Sequence, residues 1–272
     1  MAMQKEQAKI PLCEYDPSQE SVLMPNHEKL GITLPPVAVF AFLEDLIDEY
    51  AKQNHLPVLA QFVSATKTYP VYGLNLDGKA ICLCQAPVGA PAAVQIMDWL
   101  IAYGVKHVIS AGSCGALVDL PENCFLVPAK ALRDESTSYH YLPPERFVET
   151  DEETRRMIER CFRKKGLAYE ECVTWTTDGF FRETKDKVLA RRQEGCTVVE
   201  MECAALAACA QFRGAKFGQF FFTADCLAQV EAYDERTWGQ QSWEPALILA
   251  LDIAADIPDT SQTACFDSNI LA

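Results

Sequence analysis

The sequence predicts one α/β domain, doubly wound or barrel-like, and three observations lead to this prediction. Short apolar runs typical of buried strands alternate with longer stretches whose apolar residues have helical spacing. The chain has 272 residues, 49% of them apolar, which is enough for one large core. It contains no internal repeat and no low-complexity linker. We expect an extended N-terminal arm over residues 1–36, the domain over 37–256 and a polar tail over 257–272.

The first half of the domain is predicted from apolar runs that turn signals separate. Asp77 and Gly78 stand between two apolar runs and are a strong hairpin signal. Pro91 and Gly104 flank an apolar stretch, in the positions that proline and glycine favour at the two ends of a helix. The predicted elements are strand 37–42, helix 43–53, strands 59–63, 72–76 and 80–84, helix 91–104 and strand 105–111.

The second half continues the alternation of strands and helices. Thr150 and Glu153 fit a capping box at the start of a helix that Gly166 ends. The polar and aromatic segment from Arg133 to Pro144 is predicted to be a surface loop. The predicted elements are strand 125–127, helix 150–165, strand 172–176, helix 185–192, strand 196–199, helix 204–212, strand 216–224 and helix 243–255.

The charge and cysteine content exclude several classes of function. With 24 basic and 38 acidic residues the net charge is −14, so we expect neither nucleic-acid nor membrane binding. The first twelve residues lack the hydrophobic core of a signal peptide, and a reducing cytoplasm is the expected setting. The scattered cysteines and four histidines show no metal-ligand spacing, so no metal site is expected.

Carboxylates at the ends of two apolar runs are the main functional signal. Glu200 and Glu202 follow the run 196–199, and their alternation with Met201 predicts that both acids lie on one face of a strand. Asp225 stands 23 residues after Glu202, at the end of another apolar run. Because buried carboxylates are costly unless they are paired, we favour a functional site over a structural ion pair. The alternative for Asp225 is an N-cap for a following turn.

Two further strand-end segments offer groups for a ligand. The turn Gly112-Ser113-Cys114-Gly115 presents amides and a hydroxyl to an anion, although such a sequence is more often only a turn. The segment from Thr176 to Phe181 ends with two adjacent phenylalanines. Two interpretations of these phenylalanines are about equally favoured: one ring stacks on a heterocycle, or both rings lie in the core. Together with the acids, these segments indicate an enzyme that acts on a ribosylated small molecule.

From about Val37 to Ala254 these motifs resemble the nucleoside phosphorylase family. This family includes the bacterial hexameric purine nucleoside phosphorylases, the uridine phosphorylases and the methylthioadenosine nucleosidases. Glu-Met-Glu before an Ala-rich helix is the most specific of the shared motifs. The resemblance implies a central mixed, partly barrel-like β-sheet flanked by helices, and the activity of a pentosyltransferase. It also implies a homo-oligomer, either a dimer or a hexamer.

The resemblance assigns roles in ribose and base binding to individual residues. Met201 and Glu202 would bind the ribose, and Glu202 would also steady the positive charge that develops there. Phe180 would stack on the base, with Thr177 beside it. Asp225, when protonated, would bind the base and give a proton to N7 of a purine. An acid at this position and the lack of the Gln-x-Arg base clamp of uridine phosphorylases favour a purine over a pyrimidine.

The resemblance also places phosphate, as a co-substrate and not a cofactor, at Gly112 and Ser113. The expected reaction is phosphorolysis of a purine nucleoside to the free base and ribose 1-phosphate. Phosphorylases usually carry an arginine three positions before the loop serine, where this chain has Ser110. A nucleosidase that uses water and an inactive nucleoside-binding protein therefore stay open as alternatives. The cations considered as substitutes are Arg133, Arg182 and Arg236.

Overall fold

The computed structural model describes residues 8–258, and in this range ten strands form one mixed sheet. Most of the predicted tail, 259–272, and the first seven residues of the predicted arm lie outside the described residues. The strands are β1 Val37–Ala41, β2 Val58–Val63, β3 Thr68–Leu76, β4 Lys79–Gln85, β5 His107–Ala116, β6 Phe125–Asp134, β7 Phe147–Glu149, β8 Glu170–Thr177, β9 Val198–Glu200 and β10 Lys216–Cys226.

Five of these strands close into a ring. β5, β9, β8, β6 and β10 pair in that order, and β10 completes the ring by pairing in parallel with β5. From β5 the sheet continues outward through β1, β4, β3 and β2, while β7 pairs with β6. Closing the ring removes two open sheet edges and gathers several strand ends at one mouth. The mixed, partly barrel-like sheet expected from the sequence is confirmed.

Helices cover both faces of the sheet. On one face, helix α5 packs against helix α2. The first eight residues of α5, Cys203 to Ala210, are all buried. An Ala-rich sequence suits this place because small side chains let a helix lie inside the core. On the other face α3 and α6 pack together on β1, β5, β6 and β10. The helices are α1 Leu46–Gln53, α2 Ala90–Ala102, α3 Glu152–Lys164, α4 Lys185–Gln193, α5 Cys203–Arg213 and α6 Trp243–Asp256.

Several local predictions are confirmed by the backbone. Leu76 pairs with Lys79 across the two-residue turn, and Asp77 and Gly78 have φ of 51° and 85°. Two positive φ values are the requirement of a type I′ hairpin, which explains the Asp-Gly pair. Helix α2 has Pro91 in its first turn and ends before Gly104. Of the helices in residues 8–258, none is long and apolar enough to cross a membrane.

The segment after β5 is where the sequence prediction is wrong. Strand β6 has ten residues instead of three, so it extends into the segment predicted to be a loop from Arg133 onward, and β7 was not predicted at all. Pro128 and Lys130 interrupt the apolar pattern of β6, and its length is set by parallel pairing with β8, a contact distant in sequence. The rest of the predicted loop contains a short 3-10 turn, Thr137–His140.

The predicted capping box at α3 is also wrong by one residue. Asp151, not Thr150, is the N-cap, and its Oδ1 accepts a hydrogen bond of 2.9 Å from the backbone N–H of Thr154. The hydroxyl of Thr150 instead donates to the carbonyl of Pro128 at 2.8 Å. Aspartate at this position also places a negative charge at the positive end of the helix.

Residues 8–36 form an extended segment that lies against the body of the domain. Trp99 in α2 donates from Nε1 to Glu28 Oε2 at 2.9 Å, and Arg213 in α5 donates to the carbonyl of Gln19 at 3.0 Å. The segment has a single short 3-10 turn within its described residues, Pro11–Cys13. It therefore packs on α2 and α5, and none of its described residues lines the cavity described next.

Candidate active site

A cavity of about 430 Å³ lies at the mouth of the ring, beside the ends of β5, β9 and β10. This volume is within the range of small-molecule sites, which is about 300–1,000 Å³. Of the residues that the sequence predicts for the site, the cavity brings together all except Thr177. Its wall consists of Phe42, Val88, Gly112, Ser113, Cys114, Gly115, Phe180, Glu183, Val199, Glu200, Met201, Glu202, Gln219, Ala224, Asp225 and Trp238.

Glu200 is a buried carboxylate that ties three elements together. Its Oε1 accepts hydrogen bonds from the hydroxyls of Thr174, at 3.1 Å, and Thr176, at 2.6 Å, both in β8. Its Oε2 accepts from the backbone N–H groups of Glu202, at 2.7 Å, and Cys203, at 2.6 Å. These two amides belong to the first turn of α5, which has no partner for them within the helix. Glu200 is thus the anchor of the α5 N-terminus.

The prediction that Glu200 and Glu202 share one face of a strand is wrong. Strand β9 ends at Glu200, and Glu202 is already the N-cap residue of α5. The chain turns here because the carboxylate of Glu200 bonds to the amides that follow it. Glu202 points instead toward α2, where its Oε1 accepts a hydrogen bond of 2.5 Å from the backbone N–H of Gly89.

The two glutamates are buried neighbours, and the pKa of each carboxyl is raised. Burial raises the pKa of Glu200, while the hydrogen bonds from Thr176 and from the two α5 amides oppose that rise. Burial, followed by the negative charge of Glu200, raises the pKa of Glu202. Because Glu200 accepts four hydrogen bonds and Glu202 accepts one from the N–H of Gly89, the negative charge is favoured on Glu200 and the proton on Glu202. The wall of the cavity therefore presents Glu202 as a neutral group ready to bond to hydroxyls.

Asp225 lies at the end of β10 with only 5% of its surface exposed. Burial raises the pKa of this carboxyl, and a hydrogen bond with the hydroxyl of Tyr233 acts in the opposite direction. Space beside it depends on Gly115, since a Cβ there would lie 3.0 Å from Asp225 Oδ1. A buried carboxyl with a raised pKa, held at the wall of a cavity, is suited to carry a proton to a ligand.

The aromatic segment after β8 lines the cavity with one ring. Phe180 is 40% exposed and meets Phe181, which is 92% exposed, edge to face with ring centroids 5.0 Å apart. The alternative in which both phenylalanines lie in the core is therefore wrong. Thr177 is buried, and its hydroxyl accepts a hydrogen bond of 3.2 Å from the backbone N–H of Gly179, off the cavity wall.

The residues that the sequence predicts for phosphate binding carry no charge. Gly112 and Ser113 line the cavity, and Gln219 on the neighbouring strand β10 has a buried Oε1 with no hydrogen-bond partner among residues 8–258. No lysine or arginine contributes to the described wall of this cavity, whereas Lys67 and Ser113 both line an adjoining cavity of about 370 Å³. The arginines considered as substitutes also lie off the wall: Arg133, Arg182 and Arg236. Within the same described range, no cluster of three or more His, Cys, Asp or Glu is placed to bind a metal ion.

Comparison with protein families matches this chain to one of them over most of its length. The family model described as "Phosphorylase superfamily" matches residues 36–252. The chain belongs to the phosphorylase superfamily. This family consists of nucleoside phosphorylases and nucleosidases, so the resemblance inferred from Glu-Met-Glu and the Gly-Ser-Cys-Gly turn is confirmed at the level of the family.

Individual relatives within the superfamily are distant. A guanosine phosphorylase of Halorubrum lacusprofundi is 23% identical over 160 residues, which is 58% of this chain and 66% of that protein. A DeoD-type purine nucleoside phosphorylase of Bacillus cereus is 25% identical over 192 residues, 69% of this chain and 73% of the relative. This chain thus spans roughly two thirds to three quarters of the length of these two relatives.

Solved structures share the fold of the superfamily. A uridine phosphorylase from Vibrio fischeri has a TM-score of 0.71, with 21% identity over 83% of this chain and 95% of that one. An AMP nucleosidase from Bacteroides thetaiotaomicron has a TM-score of 0.66, with 23% identity over 82% and 88% of the two chains. At such identities the similarity establishes the fold and not the reaction.

Glu183 is a cavity residue that the sequence analysis missed. It lines the wall together with Phe180 and Asp225, and burial followed by the negative charge of Asp225 raises its pKa to about 8. No signal in the sequence marked it, because it sits among charged residues in a segment that looks like a solvated helix start. Burial, the larger of the two causes, acts whether or not Asp225 carries a proton, so Glu183 is a second carboxyl group with a raised pKa beside Asp225.

This shift predicts a pH-dependent contribution of Glu183 to stability. Its pKa is about 8 in the folded chain, against an ordinary value of 4.5. Between these values the unfolded chain is ionised while the folded chain keeps its proton, so the free energy of unfolding falls as the pH rises. We expect Glu183→Gln to remove this fall. Urea denaturation at pH 5 and pH 8.5 should show the wild type losing more stability than the variant.

The control for this measurement is Glu145→Gln, because Glu145 is exposed. Its stability should follow the wild type at both pH values. Parallel curves for the wild type and Glu183→Gln would contradict the assignment of a raised pKa to Glu183.

The anchoring role of Glu200 leads to a prediction about stability. Glu200→Ala leaves four donors without their acceptor, among them two amides of the α5 N-terminus. An unmet buried donor costs about 1–3 kcal/mol, and the two hydroxyls can reorient, so we expect a loss of about 2–4 kcal/mol in the free energy of unfolding. Urea denaturation measures it. As a control, Glu145→Ala should change the free energy of unfolding by less than about 0.5 kcal/mol. An equally small effect of Glu200→Ala would contradict the anchoring role of Glu200.

Proposed function

We propose that this protein cleaves the N-glycosidic bond of purine nucleosides and transfers the ribosyl group to phosphate, giving free base and ribose 1-phosphate. One observation carries the proposal: Met201, Glu202, Phe180 and Asp225 all line a single cavity of about 430 Å³. A sugar-binding acid, a stacking ring and a proton donor are the groups that departure of a heterocyclic base from ribose requires.

The ribose is placed at Glu202 and Met201. Glu202 is held by the amide of Gly89, so its second oxygen can bond to the sugar hydroxyls without moving the side chain. As the C1′–N9 bond lengthens, the ribose ring gains oxocarbenium character. Glu202, with the carboxylate of Glu200 beside it on the wall, would stabilise that positive charge.

The base is placed between Phe180 and Asp225. The electron pair of the breaking C1′–N9 bond passes into the purine, which becomes a better leaving group when N7 is protonated. Burial favours the protonated form of Asp225, and that proton moves to N7 as the bond breaks. Pyrimidine nucleosides have no N7 to receive it. We therefore expect purine nucleosides to be cleaved and uridine to be left intact.

Phosphate is placed next to Ser113, where two cavities meet. Gly112 and Ser113 line the main cavity, and the adjoining cavity adds Lys67, whose Nζ donates to Gln85 Oε1 at 2.7 Å. Among the described residues that line these two cavities, Lys67 is the one with a positively charged side chain, and it would bind the anion. An oxygen of phosphate would form the new bond to C1′ from the side opposite the departing base.

Hydrolysis is a second candidate, and the acidity of the main cavity favours it. Four carboxyl groups line that cavity, and its described wall has no lysine or arginine. A phosphate dianion loses charge-assisted bonds in such a place, whereas a water molecule does not need them. The product would then be free ribose. The two candidates share the same base-leaving chemistry at Asp225 and differ only in the attacking oxygen.

Product analysis with and without phosphate tests the proposal. Inosine, guanosine, adenosine and uridine are incubated with the protein in phosphate buffer and in phosphate-free buffer, and the base and the sugar product are separated by chromatography. We expect purine release that requires phosphate, with ribose 1-phosphate as the sugar product. Equal release without phosphate, with free ribose, would replace phosphorolysis by hydrolysis. No purine release in either buffer would overturn the proposed function altogether.

A further inference from the structure

A second cavity, of about 590 Å³, adjoins the base end of the first. The two cavities have four wall residues in common: Phe180, Glu183, Asp225 and Trp238. The residues assigned to the sugar and the phosphate, Met201, Glu202 and Ser113, line the first cavity and not the second. The second cavity therefore lies beyond the base, on the side away from the ribose. We refer to it as the outer chamber.

The outer chamber has an apolar lining with a polar rim that is largely engaged. Its apolar residues come from the segment after β8, from α4 and from the segment after β10: Phe180, Phe181, Val188, Leu227, Val230 and Trp238. Among the rim residues, Lys185 forms an ion pair with Glu231, and Glu235 accepts a hydrogen bond of 3.1 Å from Nε1 of Trp238. Since the charge of Lys185 is paired and Glu235 is hydrogen-bonded, the chamber suits an uncharged apolar group better than an ionic one.

We infer that the protein accepts purine nucleosides that carry an apolar substituent, such as an aryl or branched alkyl group, on the exocyclic atom at C6, with the substituent lying in the outer chamber. This inference rests on the proposed function, because that function sets the direction of the base in the cavity. It adds the class of base that the site admits.

The direction of the substituent follows from the geometry of a purine. N7 and the exocyclic atom at C6 lie on the same edge of the ring system. With N7 directed at Asp225, a group on C6 points along the same wall, where Asp225 and Glu183 border both cavities. A group at C2 lies on the opposite edge and does not point to this wall. The structure therefore favours extension at C6.

The outer chamber also leaves apolar surface uncovered. Phe181 is 92% exposed and Trp238 37% exposed, both on its wall. An apolar group in the chamber would cover part of these rings and of Val230. Removing a side chain of benzyl size from water is worth about a tenfold to hundredfold gain in affinity. Glu183 at the junction fits this arrangement, because a protonated carboxyl is less costly than a charged one beside an apolar group.

Calorimetric titration of matched nucleosides tests the inference. The pairs are adenosine with N6-benzyladenosine, and inosine with O6-benzylinosine, titrated into the Asp225→Asn variant so that turnover does not disturb the heats. Steady-state kcat/KM of the wild type is measured for the same compounds. We expect the benzyl compound of at least one pair to bind about tenfold more tightly than its parent. Its kcat/KM should be no more than about tenfold below the parent value.

A variant that fills the outer chamber provides the decisive comparison. Val230 is partly buried on its wall and has no part in the proposed chemistry. Val230→Trp should remove the affinity gain of the benzyl group and change binding of the parent nucleoside by less than about threefold. Val230→Ala is the matched control and should keep the gain. If Val230→Trp does not fold, Phe181→Ala replaces it, because removal of this exposed ring should reduce the gain without disturbing the core.

The outcomes separate this inference from the proposed function. Parent nucleosides that bind or react, combined with benzyl compounds that do neither, would overturn the outer chamber and leave the function standing. Equal losses for parent and benzyl compound in Val230→Trp would also overturn it. Benzyl compounds that bind more tightly in a protein without turnover would support the chamber and reject the enzyme. If neither member of either pair binds, both proposals fail.

Discussion

Asp225→Asn is expected to lower kcat for purine nucleosides by a factor of about 10²–10⁴ and to change KM by less than about threefold. The amide keeps the shape of the carboxyl and can still accept a hydrogen bond from Tyr233, but it has no acidic proton to give to N7. The loss should therefore fall on the bond-breaking step and not on substrate binding. Base release measured spectrophotometrically over a range of nucleoside concentrations separates kcat from KM.

Two controls distinguish a loss of catalysis in Asp225→Asn from a loss of structure. Asp186→Asn, an exposed change on α4, should leave both constants at their wild-type values. The thermal stability of Asp225→Asn should be no lower than that of the wild type, because burial disfavours the charged form that the variant lacks. An Asp225→Asn protein with kcat within about threefold of the wild type would remove Asp225 from the mechanism.

Glu202→Gln is expected to lower kcat/KM by about 10²–10³ while the free energy of unfolding stays the same or rises. A glutamine can accept the hydrogen bond from Gly89 but cannot supply negative charge to the ribose as the glycosidic bond breaks. The free energy of unfolding is expected to rise because the variant removes a buried ionisable group next to Glu200. Steady-state kinetics and urea denaturation of the same preparation measure the two effects.

The neighbouring glutamates should therefore respond in opposite ways. Glu200→Ala is expected to reduce stability because it releases the α5 N-terminus, whereas Glu202→Gln is expected to reduce activity in a protein that folds as well as the wild type. A Glu202→Gln variant that loses stability and activity together would show that Glu202, like Glu200, is mainly a structural group.

The elements of the fold that depend on local signals could be predicted from the sequence. The hairpin at Asp77 and Gly78 and the helix that begins near Pro91 depend on residues with special backbone preferences, so their sequences identify them. Strands β6 and β7 depend on pairing between distant segments. Pro128 and the polar residues after it break the apolar pattern of a strand, so β6 is not recognisable from its own sequence. Its backbone is held in a strand by pairing with β8.

The candidate site divides in the same way. Glu202 and Asp225 could be named because acids at the ends of apolar runs need an explanation, and the cavity contains both. The role of Glu200 could not be read from the sequence, because its four hydrogen bonds come from β8 and from the turn into α5. Glu183 lay in a charged stretch without any pattern, and only the fold brings it next to Asp225.

Release of free purine under single-turnover conditions tests the central claim most directly. Excess protein is mixed with inosine, guanosine or adenosine in phosphate buffer, and the free base is quantified by chromatography for the wild type and for Asp225→Asn. The cavity predicts complete conversion of at least one of these nucleosides by the wild type and a much slower conversion by the variant. Purine nucleosides that stay intact with the wild type, or that are cleaved equally fast by both proteins, would contradict it.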